Sequence, residues 1–293
     1  MKKLNGVTTA LITPFTKNGM VDEDGLGVLI ERQIAAGVDG VCVTAGSGEF
    51  ANTTAEEHAR VVKLSVGYAK GRVPIIAGVF ACNTADALAS SQKACSLGAD
   101  ALLVLSPLYN RPSPEGMKLY YKTIADGVDK PILVYNNQGR TGVDIASMYE
   151  LFLDIDKIIG TKECNRDMGV FSETMLKMGG KWNSILSGDE DIFYTHLCLG
   201  GHGAIMTTSN IEPGRWVKLY KAFMAGDHAT AVKIHYEMLP LLNAVYTLNH
   251  PALVKKCMAM MGLPAGTTRS PLVEPTKAQV GRIAEVIEKM NLK

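Results

Sequence analysis

The stretch Ile158-Ile159-Gly160-Thr161-Lys162-Glu163-Cys164 carries one amine near the end of an apolar, β-branched run. Side chains alternate faces along a strand. Ile158, Gly160, Lys162 and Cys164 are therefore expected on one face, and Ile159, Thr161 and Glu163 on the other. If the first face points inward, burial disfavours the Lys162 ammonium. The pKa falls, and the free amine can add to a ketone to form a Schiff base. If the face points outward, Lys162 is a strand-end charge that snorkels to water. Taken alone, the segment favours the snorkelling charge.

Other groups bear on the choice because a Schiff-base lyase needs more than an amine. Tyr135 ends an apolar run and could shuttle protons through the carbinolamine and enamine steps. Gly46-Ser47-Gly48 follows another such run, and its backbone N–H groups could hold a carboxylate. Arg140 could clamp a second carboxylate. Each has a plainer alternative. Tyr135 fits a strand-end aromatic, the 46–48 turn an ordinary connection, and Arg140 a solvated loop charge. Tyr109, in a Pro-flanked loop, could be packing. Asp189 and Glu190 fit helix N-terminal acids favoured by the dipole. His202, between two glycines, reads as structural. What ties the candidates together is that they all fall at the ends of apolar runs.

Those runs recur. Segments 7–14, 40–45, 73–79, 101–107, 131–136, 158–164, 184–189 and 203–209 read as strands, mostly at intervals of about 25–30 residues. Between them, 24–36 and 84–97 read as helices, the second with Thr84 as N-cap and Gly98 beyond its end. Strands alternating with helices imply a parallel sheet, and near-continuous apolar strands imply that both faces are covered. Eight such units fit a closed TIM (β/α)₈ barrel better than an open sheet, and no G-x-G-x-x-G follows the first strand. After Asn210 the strands stop. Segments 216–224, 228–247, 251–261 and 275–290 read as helices, punctuated by Gly226, Asn249-His250-Pro251 and 262–271. The expected organisation is a barrel over 1–210 carrying the active site and a helical extension over 211–293.

The bulk composition excludes several classes. The chain has 293 residues, 47% hydrophobic and 20% charged, which is enough for a sizeable core. A net charge of +1 gives no general pull towards nucleic acid or anionic lipid. The six cysteines include no C-x-x-C, so reduced thiols in a cytoplasmic protein are expected, with no metal site. Met1-Lys2-Lys3 precedes no sustained apolar h-region, and no window approaches a membrane span.

At this level of detail the chain resembles the dihydrodipicolinate synthase / N-acetylneuraminate lyase family of class I aldolases. The likeness runs from Gly6-Val7-Thr8-Thr9-Ala10-Leu11-Ile12-Thr13-Pro14-Phe15 to the helical tail. It rests on Ser106-Pro107-Leu108-Tyr109-Asn110-Arg111-Pro112, Tyr135-Asn136, Gly139-Arg140-Thr141-Gly142, Ile159-Gly160-Thr161-Lys162-Glu163, Leu186-Ser187-Gly188-Asp189 and Leu199-Gly200-Gly201-His202-Gly203-Ala204-Ile205. The resemblance implies that Lys162 forms the imine, usually with pyruvate, that Tyr135 is the relay tyrosine, and that Tyr109 reaches across a dimer interface. It implies Gly46, Ser47, Gly48, Arg140, Gly188 and Ile205 as substrate-binding positions, with Arg140 on the carboxylate of an aldehyde. It also implies a homotetramer built as a dimer of dimers and no cofactor.

Sialic acid lyases of the family usually lack an arginine at the Arg140 position, so by this resemblance Arg140-Thr141 favours the synthase-like side. The expected activity is therefore the joining of pyruvate to aspartate semialdehyde as a 4-hydroxy-tetrahydrodipicolinate synthase. The alternatives are a 2-keto-3-deoxy sugar-acid aldolase or dehydratase, or a hydroxyproline-pathway deaminase. From another class comes a silent binder of keto or amino acids. Two departures from the family pattern stand out. Gly46 occupies the position of the threonine whose hydroxyl links the relay tyrosines, so a relay here must route through water or Ser47. Asn137-Gln138 replaces the usual Val-Pro, which makes the pocket wall more polar and suits a more hydroxylated substrate. The family's lysine feedback site is incomplete. His58 and Asp86 are compatible with it, but Phe50, Ala55, Cys82 and Leu108 stand at its other contacts, so little inhibition by lysine is expected.

Overall fold

The eight apolar runs become eight parallel strands that close on themselves. They are β1 (Gly6–Ala10), β2 (Gly40–Val43), β3 (Ile75–Val79), β4 (Ala101–Leu105), β5 (Ile132–Asn136), β6 (Ile158–Glu163), β7 (Ser184–Ser187) and β8 (Gly203–Met206). This computed structural model describes residues 3–246 and 250–292. Thr247 and Asn249, and the ends Met1, Lys2 and Lys293, lie outside the described residues. Each strand pairs with the next, and β8 returns to β1 with Thr8 opposite Ile205. The strands stop one to four residues short of several sequence expectations. The remaining residues turn off into the loops that carry the chemistry.

The connecting helices are α1 (Glu23–Ala36), α2 (Ala55–Ala69), α3 (Thr84–Ser96), α4 (Pro114–Asp126), α5 (Gln138–Thr141), α6 (Met168–Met178) and α7 (Phe193–Cys198). The starts of α1, α2, α3, α4 and α6 are set by side chains that accept the unpaired first-turn N–H groups, whereas α5 and α7 have no such cap. Thr54 and Glu57 form a capping box on α2. On α3 the cap is Asn83, which accepts from Asp86 N at 2.9 Å, so Thr84 is the first helical residue and not the cap. The tail supplies α8 (Pro213–Met224), α9 (His228–Val245), α10 (Ala252–Met260) and α11 (Lys277–Met290).

Two apolar layers fill the fold. Alternate strand residues such as Val7, Val41, Ile75, Leu102, Val134 and Ile158 face the helices. The barrel interior holds Ala10, Cys42, Ile76, Leu103, Leu133, Ile159, Leu186 and Ile205. This is the packed core of a TIM barrel.

Strand β6 departs from strict alternation. Ile159 lies in the interior, yet so do Lys162 and Cys164, beside Tyr135. Thr161 and Glu163 face outward, where both bond to the Tyr149 hydroxyl. The expected face shared by Ile158, Gly160, Lys162 and Cys164 is therefore wrong for Ile158. The cause is a register shift: Ile158 pairs with Ile132, but Leu133 pairs with Gly160, so one extra residue is inserted. A bulge of this kind re-aims every side chain beyond it. Glycine is required there because a Cβ on Gly160 would stand 1.9 Å from the Ser184 carbonyl oxygen. Gly160→Ala should force β6 and β7 apart and destabilise the protein by about 2 kcal/mol or more. A lowered urea midpoint at unchanged slope is the check; an unchanged midpoint would mean the bulge tolerates a side chain.

Candidate active site

Lys162 leaves the C-terminal end of β6 and is 6% exposed. It sits opposite Tyr135 in the β5–β6 register, with Nζ 4.6 Å from the centre of the tyrosine ring. Gly188, at the end of β7, makes room for it: a Cβ there would lie 3.1 Å from Lys162 Cε and 2.2 Å from Cys164 Sγ. Gly188, expected among the substrate-binding positions, provides clearance beside the amine.

Burial disfavours the Lys162 ammonium, while Tyr135, Cys164, Cys42 and Asp189 act in the other direction. With those neighbours as anions the ammonium is held above the ordinary lysine range. That balance belongs to alkaline solution. Burial pushes Tyr135, Cys164 and Cys42 each up to about 12, so at neutral pH they are uncharged dipoles. Asp189 is then the one remaining anion among these neighbours. Burial, the largest influence, works at neutral pH towards the free amine.

The Tyr135 hydroxyl accepts a hydrogen bond from Asn137 Nδ2 at 3.0 Å and lies 4.0 Å from the Cys164 thiol. Phe80 packs on its ring at 5.8 Å, and Phe50 packs on Phe80 at 4.4 Å. Asn137 and Cys164 are site residues that sequence reasoning did not assign. From the sequence Asn137 is expected in the pocket wall and Cys164 as a reduced thiol on the Lys162 face.

The 46–48 turn hangs between two left-handed residues, Thr44 and Glu49, both at φ 55°. Thr13 Oγ1 donates to Gly48 O at 2.8 Å. Ser47 is buried, with Oγ 2.8 Å from Thr207 Oγ1 and 3.4 Å from His250 Nε2. The expected alternative route of a proton relay through Ser47 is therefore not what the structure builds: the partner of Tyr135 is Asn137. Below the turn, Lys255 Nζ bonds Glu49 Oε1 at 2.5 Å, and Arg269 N donates to Glu49 Oε2 at 3.1 Å. Burial draws Lys255 down to about 8, and Glu49 opposes that fall. Two residues of the tail thus pin the residue that follows the turn.

His250 carries a neutral imidazole at neutral pH. Burial pulls it down to about 4, and the charges of Arg140 and Lys162 act in the same direction. Its ring lies parallel to that of Tyr246, 5.7 Å away. The Tyr246 hydroxyl donates to Glu190 Oε2, and Thr208 N donates to Glu190 Oε1 at 2.7 Å. Glu190 is therefore a buried acceptor of long-range bonds and not a dipole-stabilised surface acid. A cavity of about 240 Å³ lies here, lined by Arg166, Asp189, Glu190, Asp191, Asn243 and Tyr246 among others.

Three expected residues stand apart from this cluster. Arg140 is exposed on α5, and its charge reaches His250. Ile205 is 1% exposed and packs in the barrel interior with Leu186 and Ile159. Tyr109 is 94% exposed with φ 70°, and the structure does not bring it to Tyr135. The role expected of it lies across a dimer interface and requires a second chain.

The model of the dihydrodipicolinate synthetase family matches residues 3–290. The chain belongs to that family. A 4-hydroxy-tetrahydrodipicolinate synthase from Phenylobacterium zucineum is 41% identical over 286 residues, 97% of this chain and 96% of the relative. The crystal structure of the dihydrodipicolinate synthase from Aquifex aeolicus superposes with a TM-score of 0.94 at 34% identity, covering 98% of each chain. That of a chloride-inhibited dihydrodipicolinate synthase from Acinetobacter baumannii, complexed with pyruvate, superposes at 0.95 with 30% identity over 99% of this chain and 100% of the other. As a member of this family the chain is an enzyme of the Schiff-base lyase class, built on the barrel expected from its sequence. Among the described residues no helix is long and apolar enough to cross a membrane.

Burial and Asp189 raise the Glu190 carboxyl from the ordinary 4.5 to about 7, against the bonds from Tyr246 and Thr208. The folded protein therefore keeps a proton that the unfolded chain loses. The stability this contributes is complete below pH 4.5 and is lost as pH rises through about 7. Between about pH 5 and 8 the wild type should lose up to about 3 kcal/mol relative to Glu190→Gln. Urea denaturation of both proteins across that range is the check, with parallel curves as the contrary result.

Proposed function

We propose that this enzyme joins pyruvate to aspartate semialdehyde, as a 4-hydroxy-tetrahydrodipicolinate synthase. The observation that carries the reading is the buried amine of Lys162 against the Tyr135 ring, at the strand ends of a barrel whose relatives bear that name. The free amine of Lys162 adds to the pyruvate carbonyl carbon. A proton moves from nitrogen to oxygen and gives the carbinolamine. Tyr135 protonates the departing hydroxyl, water leaves, and the C=N bond forms. The Tyr135 phenolate then takes a methyl proton, and the C–H pair yields the enamine with the iminium nitrogen as electron sink. The enamine carbon attacks the aldehyde carbon, and the C=O pair goes to the oxygen, which takes the proton from Tyr135. Addition of a second nucleophile, water or the substrate's own amine, to the iminium carbon releases the Lys162 amine.

The 46–48 turn would hold the keto-acid carboxylate with backbone N–H groups and the Ser47 hydroxyl, and Arg140 the carboxylate of the second substrate. Residues 1–210 would supply the chemistry and 211–293 an extension that braces it. Tyr109, exposed and left-handed, fits a residue that enters a neighbouring subunit's site in a cytoplasmic homotetramer.

A second reading takes its support from the pocket wall. Gly46 offers no hydroxyl, and Asn137-Gln138 is polar, which suits a 2-keto-3-deoxy sugar acid as substrate of an aldolase or dehydratase, or the substrate of a hydroxyproline-pathway deaminase.

Incubation with pyruvate, reduction with borohydride and intact-mass measurement should show one reduced pyruvyl group per chain, absent in Lys162→Ala. No adduct with any keto acid would overturn the lyase mechanism. Turnover of pyruvate with aspartate semialdehyde, compared with cleavage or dehydration of a 2-keto-3-deoxy sugar acid, separates the two readings. Lysine should inhibit weakly or not at all. Besides the substituted contacts, His58 Nε2 lies within hydrogen-bond distance of the Gly78 carbonyl oxygen, at 2.9 Å. A clear inhibition curve at low millimolar lysine is the contrary outcome.

A further inference from the structure

Asn137 is the residue that leads into α5, a position where asparagine ordinarily caps the helix with its side chain. Here it makes no side-chain cap. The Arg140 N–H that such a cap would take goes instead to the Asn137 backbone carbonyl at 2.9 Å, which also accepts from Thr141 N at 3.1 Å and Thr141 Oγ1 at 3.2 Å. The amide is thereby free, and it turns back onto the preceding strand to donate to the Tyr135 hydroxyl at 3.0 Å. Other side chains do not serve that oxygen as well. The Cys164 thiol lies 4.0 Å away and is a weak donor, Gly46 has no side chain, and the Ser47 hydroxyl is engaged by Thr207 and His250.

We propose that Asn137 is the positioning residue of Tyr135, holding the phenol oxygen from one side so that its own proton faces the pocket beside Lys162. This rests on the reading of Tyr135 as the proton carrier. A phenol oxygen that accepts from a fixed N–H has its O–H aimed away from that donor. The same N–H stabilises the phenolate once the proton has moved to the substrate oxygen, so it favours the transfer in both geometry and charge. Consistent with this, the Asn137 bond acts to lower the Tyr135 pKa against the larger upward push of burial. The donor comes from the loop after β5, which makes the proton carrier and its support neighbours in one strand-to-helix connection.

Exchange of the pyruvate methyl protons with deuterated solvent, followed by NMR, reads the step without a second substrate. The methyl proton passes to the Tyr135 phenolate, its C–H pair becomes the enamine C=C and the iminium nitrogen takes the π pair; the phenol exchanges with solvent and returns a deuteron to the carbon, reversing both shifts. Asn137→Ala should lower the exchange rate about tenfold, the loss of one hydrogen bond, with the pyruvate KM and thermal midpoint unchanged. Asn137→Asp should fall at least as far, because a carboxylate has no N–H and repels the phenolate. Asn137→His, which keeps an N–H on the same branch of the side chain, should recover part of the rate. That rescue also covers an Ala variant that folds poorly. In a Tyr135→Phe background the Asn137 changes should have no further effect. Wild-type exchange in Asn137→Ala, or an equal fall with and without the Tyr135 hydroxyl, overturns the proposal. Wild-type exchange in Tyr135→Phe alone identifies instead a failure of the proton-carrier reading on which it rests.

Discussion

A lysine inside a closed barrel is the constraint around which the rest of this structure is arranged. Taking an ammonium out of water costs several kcal/mol even after relaxation. The barrel interior is otherwise filled by Leu103, Leu133, Ile159, Leu186 and Ile205, none of which can offset that cost. The amine reaches this space because an extra residue at Gly160 reverses the alternation of β6, and because Gly188 leaves a gap where a side chain would collide. Its surroundings are a tyrosine ring, two thiols and one carboxylate. At neutral pH the ring and thiols carry no charge, so the environment tolerates a cation without fixing one. A group that must alternate between ammonium, amine and imine needs that ambivalence.

The second organising feature is the helical tail. It supplies His250 and Tyr246 to the walls of the site, and Lys255 and Arg269 to the base of the 46–48 turn. The Glu49–Lys255 pair is almost fully buried, with side chains 0% and 2% exposed. Such a pair adds little net stability, since desolvation offsets most of its attraction. Removing either partner would leave an uncompensated charge beneath the turn. The pair therefore specifies geometry: it allows one placement of Glu49, and with it one placement of the residues just before it.

Much of this was legible in the linear chain. Eight apolar runs with helices between them dictate a parallel sheet covered on both faces, and closure follows from their number. The positions of Lys162, Tyr135, Gly46-Ser47-Gly48 and Gly188 at strand ends could be read because strands and turns have a local signature. Asn137 was visible as a polar residue in an unusual place. Its partner could not be known, because an asparagine before a short helix would normally cap it. His250 gave no signal and Glu190 read only as a helix N-terminal acid, since their partners lie far away along the chain.

By itself, then, the sequence determined the barrel, its helical tail and the strand ends at which the chemistry had to lie, because hydrophobic periodicity and turn residues act over a few positions. Tertiary structure alone decided which way Lys162 points. Simple alternation places Lys162 on the face opposite Ile159, whereas both are inside, and the reason is an insertion in the β5–β6 register that depends on a partner strand. It also decided that Tyr135 is served by Asn137 and not by Ser47, and that Tyr109 stands 94% exposed away from the cluster. Hydrogen-bond partners across a barrel mouth are set by distances that exist only once the strands have closed.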